Sequence, residues 1–159
     1  MNFGEMGDMK IFDIGTKSVA ADIETGLVIH DLLQAIGFEK FTIRINNRMV
    51  LNGLLERLGL TDKSTEVLRS LDKLAKIGRD KVAAEMIATA GATAEQADDV
   101  LKLSELSGSN ADILKQLEPL VAGSETGEAG VARLSEVLAG IAAAGRSGCR
   151  RCVWPICRR

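Results

Sequence analysis

Four groups of residues in this 159-residue chain have the types and spacing to do chemistry. The first, Cys149-x2-Cys152-x4-Cys157, invites a zinc reading. It offers three thiolates with no His or acid nearby as a fourth ligand, whereas structural zinc is almost always four-coordinate. No metal site is expected. The second is His30, the only histidine, which excludes a His-rich metal site and a His–His acid/base pair. With no Cys nearby it forms neither a nucleophile–base pair nor a metal pair, and its spacing puts it at the edge of a helix as a surface or half-buried packing residue. Asp22 and Glu24 form the third group. Two apart on a helix, they point about 200° away from each other and cannot act as a paired acid and base. The fourth group is basic. Lys63, Lys73, Lys76, Arg79 and Lys81 are interleaved with Asp72, Asp80 and Glu85, so they suit phosphate contacts or an ordinary charged helix surface equally well.

Composition narrows the chemistry further. Hydrophobic residues make up 46% of the chain and aromatics only 3%, with no Tyr. That is too few rings for a base-stacking platform. The net charge of −2 hides an asymmetry, because residues 146–159 hold five Arg and no acid while the remaining 145 residues sum to −7. Five guanidiniums in fourteen residues would attract phosphates, but the acidic body is not that of a general nucleic-acid binder. No apolar run reaches the roughly 20 residues of a membrane span, and the N-terminus lacks the apolar core of a signal peptide. A cytoplasmic protein is expected.

The elements that must position these groups follow from hydrophobic period. Ile23, Leu27, Leu33 and Ile36, with Ile29 and Leu32 beside them, predict a helix with Asp22 and Glu24 in its first turn and Gly37 just past its end. Phe41, Ile43 and Ile45 then alternate with Thr42, Arg44 and Asn46, which predicts a strand. Asn46 or Asn47 caps a helix from Arg48 to Leu58, stopped by Gly59. Beyond it five amphipathic helices are expected to bury a shared core. The first opens at Thr61 or Asp62 with Val67, Leu68, Leu71, Leu74 and Ile77 inward, and the second follows Gly78 with Val82, Met86 and Ile87 inward. Thr93 and Gln96 form a capping box for the third. Asn110 caps the fourth, which Pro119 ends or kinks. A Gly/Ser loop from Gly123 to Gly130 leads to the fifth, carrying Val131, Leu134, Leu138 and Ile141.

The residues carry a family resemblance. Gly15-Thr16-Lys17-Ser18-Val19-Ala20-Ala21-Asp22-Ile23-Glu24, then Phe41-Thr42-Ile43-Arg44-Ile45-Asn46-Asn47-Arg48 and Leu51-Asn52-Gly53-Leu54-Leu55-Glu56, resemble histidyl-tRNA synthetase. Leu71-Asp72-Lys73-Leu74 and Leu117-Glu118-Pro119-Leu120 are similar to that family's helical insertion domain. The resemblance implies an α+β fold: a remnant of the class II antiparallel-sheet core followed by an all-α insertion domain. It divides the chain into an atypical N-terminus (1–13), a partial catalytic core (14–60), the insertion domain (61–145) and an Arg/Cys-rich tail (146–159). For the intact family it implies ATP and magnesium as cofactors, tRNA(His) as partner and a homodimer. Asp13 lies near the carboxylate that holds the substrate's ammonium, although Phe12-Asp13-Ile14-Gly15 is about one residue shorter than the family's form. Lys63, Lys73, Lys76, Arg79 and Lys81 become candidate tRNA contacts.

The same resemblance places the family's two ATP-binding arginines and its tyrosine-rich histidine-recognition loop outside this chain. A fragment inactive on its own is therefore expected, with the abrupt tail read as a truncated or out-of-frame reading of a synthetase gene. A non-catalytic tRNA-binding module is the alternative. So is a regulatory synthetase-like protein, against which the helical insertion argues. The strand 41–45, stripped of its neighbours, is expected to leave an unpaired edge through which the chain self-associates.

Overall fold

The structure is a computed structural model describing residues 18–145. These form eight α-helices: α1 (Val19–Ala35), α2 (Arg48–Arg57), α3 (Ser64–Leu71), α4 (Leu74–Ile77), α5 (Arg79–Ala90), α6 (Ala94–Glu105), α7 (Asn110–Val121) and α8 (Glu125–Ala143), with a 3-10 turn at Thr61–Lys63 before α3. Most start where a side chain can satisfy the orphan N–H groups of a first turn. Ser18 accepts from the Ala20 amide, Asn47 from Met49 and Ser124 from Gly127. Thr93 and Gln96 form the expected capping box. Gln96 does more, since its Nε2 donates 2.7 Å to the Leu58 carbonyl just past α2. Ser109 rather than Asn110 caps α7, in a second box with Asp112.

The core gathers around α2. Val50, Leu54 and Leu55 are buried in one cluster that extends through α3 and α5–α8 and includes Val67, Leu71, Met86, Val100, Leu117 and Leu134. Residues 61–145 therefore do not close this core alone, because one side of it is α2. Polar contacts reinforce the same junction. Ser124 Oγ donates 2.6 Å to Glu56 Oε2, Thr126 donates to Glu56 Oε1, and Arg57 Nη1 donates to the Pro119 carbonyl at 3.2 Å. Pro119 does not end α7, which runs two residues further to Val121.

Glycines set how closely α2 and α8 approach. A β-carbon on Gly53 would lie 2.2 Å from Gly127 Cα, and one on Gly130 would lie 2.8 Å from the Val50 nitrogen. Neither distance is tolerable between backbones, so the two helices touch main chain to main chain. This explains a departure from the sequence reading. Residues 125–130 are the first turns of α8, not loop: their glycines are there for contact, and glycine content alone does not distinguish the two uses.

The expected α+β class is corrected, because no β-strand occurs among the described residues. The 41–45 alternation is real in burial: Ile43 is buried and Phe41 and Ile45 are half-buried, while Thr42, Arg44 and Asn46 are exposed. A strand also needs a neighbouring backbone to form a ladder, and none pairs with this segment among the described residues. Side-chain period reports facing, not hydrogen bonding. The expected self-association through a strand edge falls with it. Two smaller departures follow the chain. The helix expected from Thr61 to Ile77 breaks at Asp72–Lys73 into α3 and α4, and Ile87, expected inward, is 42% exposed.

Candidate functional site

A cavity of about 590 Å³ opens between the first turns of α1, the segment 43–47, the start of α2 and the middle of α8. Its described lining includes the aliphatic Ile43, Ile45, Leu134 and Val137 and the polar Asp22, Thr25, Arg44, Asn46, Arg48 and Arg133. Each polar group is placed by a different local rule. Asp22 and Thr25 lie on one side of α1, with Thr25 Oγ1 tied 2.9 Å to the Ala21 carbonyl. Arg44 and Asn46 lie on the exposed side of the alternating segment, and Arg48 is the first residue after the Asn47 cap. Arg133 reaches across from α8, its Nε and Nη2 each donating 2.8 Å to Asp22 Oδ2. The described lining thus holds three arginines and one carboxylate, of which Arg133 and Asp22 are paired. The sequence showed Arg44 beside Thr42 and Asn46 on one face; Arg133 has no local signal, being 111 residues from Asp22.

The five basic candidates on the helical part divide into two kinds. Lys73 is ion-paired to Glu85. Arg79 bridges α5 to α6 by pairing with both Asp98 and Glu105. The bond from Asp98 raises the Arg79 pKa, and the bond from Arg79, with a second from Lys102, holds the Asp98 carboxyl below its usual range. Both groups are anchored to neighbouring helices. Lys63, Lys76 and Lys81 are exposed and have no ion-pair partner among the described residues. The sequence could not separate these two kinds, since the pairing partners of Arg79 come from another helix.

His30 is buried, 3% exposed, instead of at the surface or half-buried as expected. Its ring packs edge-on to Phe41, centroids 5.3 Å apart, and Nδ1 lies 3.1 Å from Asp31 Oδ1. It clasps the extended segment to α1, and the signal was Phe41, whose sequence distance hid it. Asp13 and the three cysteines lie outside the described residues. Among the described residues no group of three or more His, Cys, Asp or Glu side chains could hold a metal, and no helix is long and apolar enough to cross a membrane.

Comparison with known proteins gives one consistent answer. The family model for histidyl-tRNA synthetase matches residues 13–153. The chain is 57% identical over 134 residues to a histidine–tRNA ligase of Rhodopirellula baltica, covering 84% of this chain and 30% of that relative. It is 35% identical over 124 residues to the corresponding ligase of Cytophaga hutchinsonii, covering 78% and 27%. A crystal structure of histidyl-tRNA synthetase from Nostoc sp. PCC 7120 superposes with a TM-score of 0.79 at 29% identity, over 91% of this chain and 34% of that one. The chain spans about a third of the length of the proteins it matches.

Proposed function

The chain belongs to the histidyl-tRNA synthetase family, and from that premise we propose that it is one segment of a histidine–tRNA ligase, an enzyme that activates histidine with ATP and transfers it to tRNA. The observation that carries this reading is the 57% identity sustained over 134 residues, against only 30% of the relative's length. In this reading residues 14–60 belong to the catalytic half and residues 61–145 to the helical insertion, joined through the packing of α2 against α8.

The described residues do not fit a magnesium site, since no cluster of three possible ligands occurs among them. ATP and its metal are therefore not assigned to the described residues. The described chain contributes a scaffold and an RNA-facing surface. Lys63, Lys76 and Lys81 are the cations offered to tRNA phosphates, while Lys73 and Arg79 serve mainly to hold α5 in place. Phosphate contact by these lysines gives a steep salt dependence.

A segment exchange tests the reading. Residues 18–145 of this chain replace the matching segment of the Rhodopirellula baltica ligase, and histidine-dependent ATP–pyrophosphate exchange is measured. The chimera is expected to stay within about tenfold of the parent, a barrier change of about 1.4 kcal/mol, whereas the 159-residue chain alone gives no exchange above blank. A chimera that folds but has lost activity entirely, or an active isolated chain, would refute it.

A further inference from the structure

We propose that Lys73 and Arg79 are positioning residues: they pin the two ends of the one-turn helix α4, and so fix where Lys76 is held out for phosphate. The backbone makes this stretch a separate piece. α3 and α4 part at Asp72–Lys73. Gly78, between α4 and α5, has φ 83° and ψ 167°, a region open essentially to glycine alone. The backbone hydrogen bonds of α4 are local, with the Lys76 and Ile77 amides donating to the Lys73 carbonyl and the Gly78 amide to that of Leu74. No residue of α4 is buried. Leu74 and Ile77 are half-buried against the core, and Ala75 and Lys76 are exposed. A single turn has little stability of its own, and few buried contacts mark a segment that opens locally.

Ion pairs supply what packing does not. At the entry to α4, Lys73 pairs with Glu85 on α5. At its exit, Arg79 sends Nη1 to Glu105 and Nη2 to Asp98, both on α6. A planar fork that engages two carboxylates of a neighbouring helix fixes direction as well as distance. Lys76 stands between these anchors, three residues from each. The cations therefore divide the work: Lys73 and Arg79 are held by acids of the protein, and Lys76, with no ion-pair partner among the described residues, is left to an outside anion. All three pairs are exposed, so salt weakens them. The part given to Lys76 rests on the RNA reading above; the pinning does not.

The experiment is amide hydrogen exchange, read by mass spectrometry on the full 159-residue chain at low salt. The key variant is Glu85→Gln/Asp98→Asn/Glu105→Gln, which releases both pins and keeps every cation. Peptides covering residues 72–79 should exchange about fivefold faster in it than in the parent, with peptides of α2 and α8 unchanged. The charge exchange Lys73→Glu/Glu85→Lys, which rebuilds the first pin, should exchange as the parent does. Salt at about 1 M, where the Debye length is about 3 Å, should bring the parent to the rate of the variant. A filter assay with unfractionated tRNA reads the positioning. Lys76→Gln should lower the salt slope of binding by about one in the parent and by clearly less in the acid variant, where the lysine is no longer held in place. The proposal is overturned if residues 72–79 exchange alike in parent and variant, if α2 and α8 speed up equally, or if Lys76→Gln acts the same in both backgrounds. A parent that binds no tRNA refutes the RNA reading and the use made of Lys76, and the exchange data then judge the pinning alone.

Discussion

The α2–α8 junction and the outer face of α1 both carry large apolar residues and treat them in opposite ways. At the junction, Val50 and Leu54 are fully buried and the helices are in backbone contact at Gly53 and Gly127. On α1 the buried positions are Ala21, Gly26 and His30, while Val28, Leu32 and Ile36 are 50%, 40% and 57% exposed. Hydrophobicity supplies a driving force, but burial requires a surface of matching shape. The junction has such a surface within the described residues, and the outer face of α1 does not.

The sharpest way to break this contrast is to remove one half of the junction. A fragment of residues 61–145 lacks Val50, Leu51, Leu54 and Leu55 and should lose cooperative thermal unfolding by circular dichroism, whereas residues 47–145 should keep it. A cooperative melt for the shorter piece would show that α2 is dispensable to the core. Next in size is Gly53→Ala. Its new methyl meets backbone, which cannot swing aside, so urea denaturation should show a loss of about 3 kcal/mol, at the upper end of overpacking costs. A change below about 0.5 kcal/mol would mean that the helices separate easily. The smallest effect belongs to α1. Leu32→Gln should shift stability by no more than about 0.5 kcal/mol, as surface substitutions do, and a large loss in the same assay would place an unseen partner over that face.

Helix content and most caps were legible in the sequence because they depend on neighbours within four residues. Thr93 and Gln96 show this: the box can be read from their spacing and is present in the structure. The misreadings at Gly127, His30 and the 41–45 segment share one cause, which is that the deciding contact is remote in sequence. Gly127 looks like loop until Gly53 is placed beside it, and His30 looks like a helix edge until Phe41 covers it. The alternation at Phe41–Ile45 predicted the facing of each side chain correctly, but a ladder depends on another strand. The candidate site was half legible. Arg44 and Arg48 stand close in sequence to the segment that places them, whereas Arg133 enters the cavity only because α8 folds back over α1.

Gln96 shows how a helix-start signature can lose its interchangeability. Its Oε1 accepts from the Thr93 amide and its Nε2 donates to the Leu58 carbonyl, so one planar amide is read from both ends. Sequence statistics treat Glu and Gln as equivalent at this position of a capping box. Here they are not synonyms. A carboxylate would keep the bond to Thr93 yet set two acceptors against each other at Leu58. The substitution that looks mildest on paper would thus preserve the start of α6 while unfastening it from the end of α2.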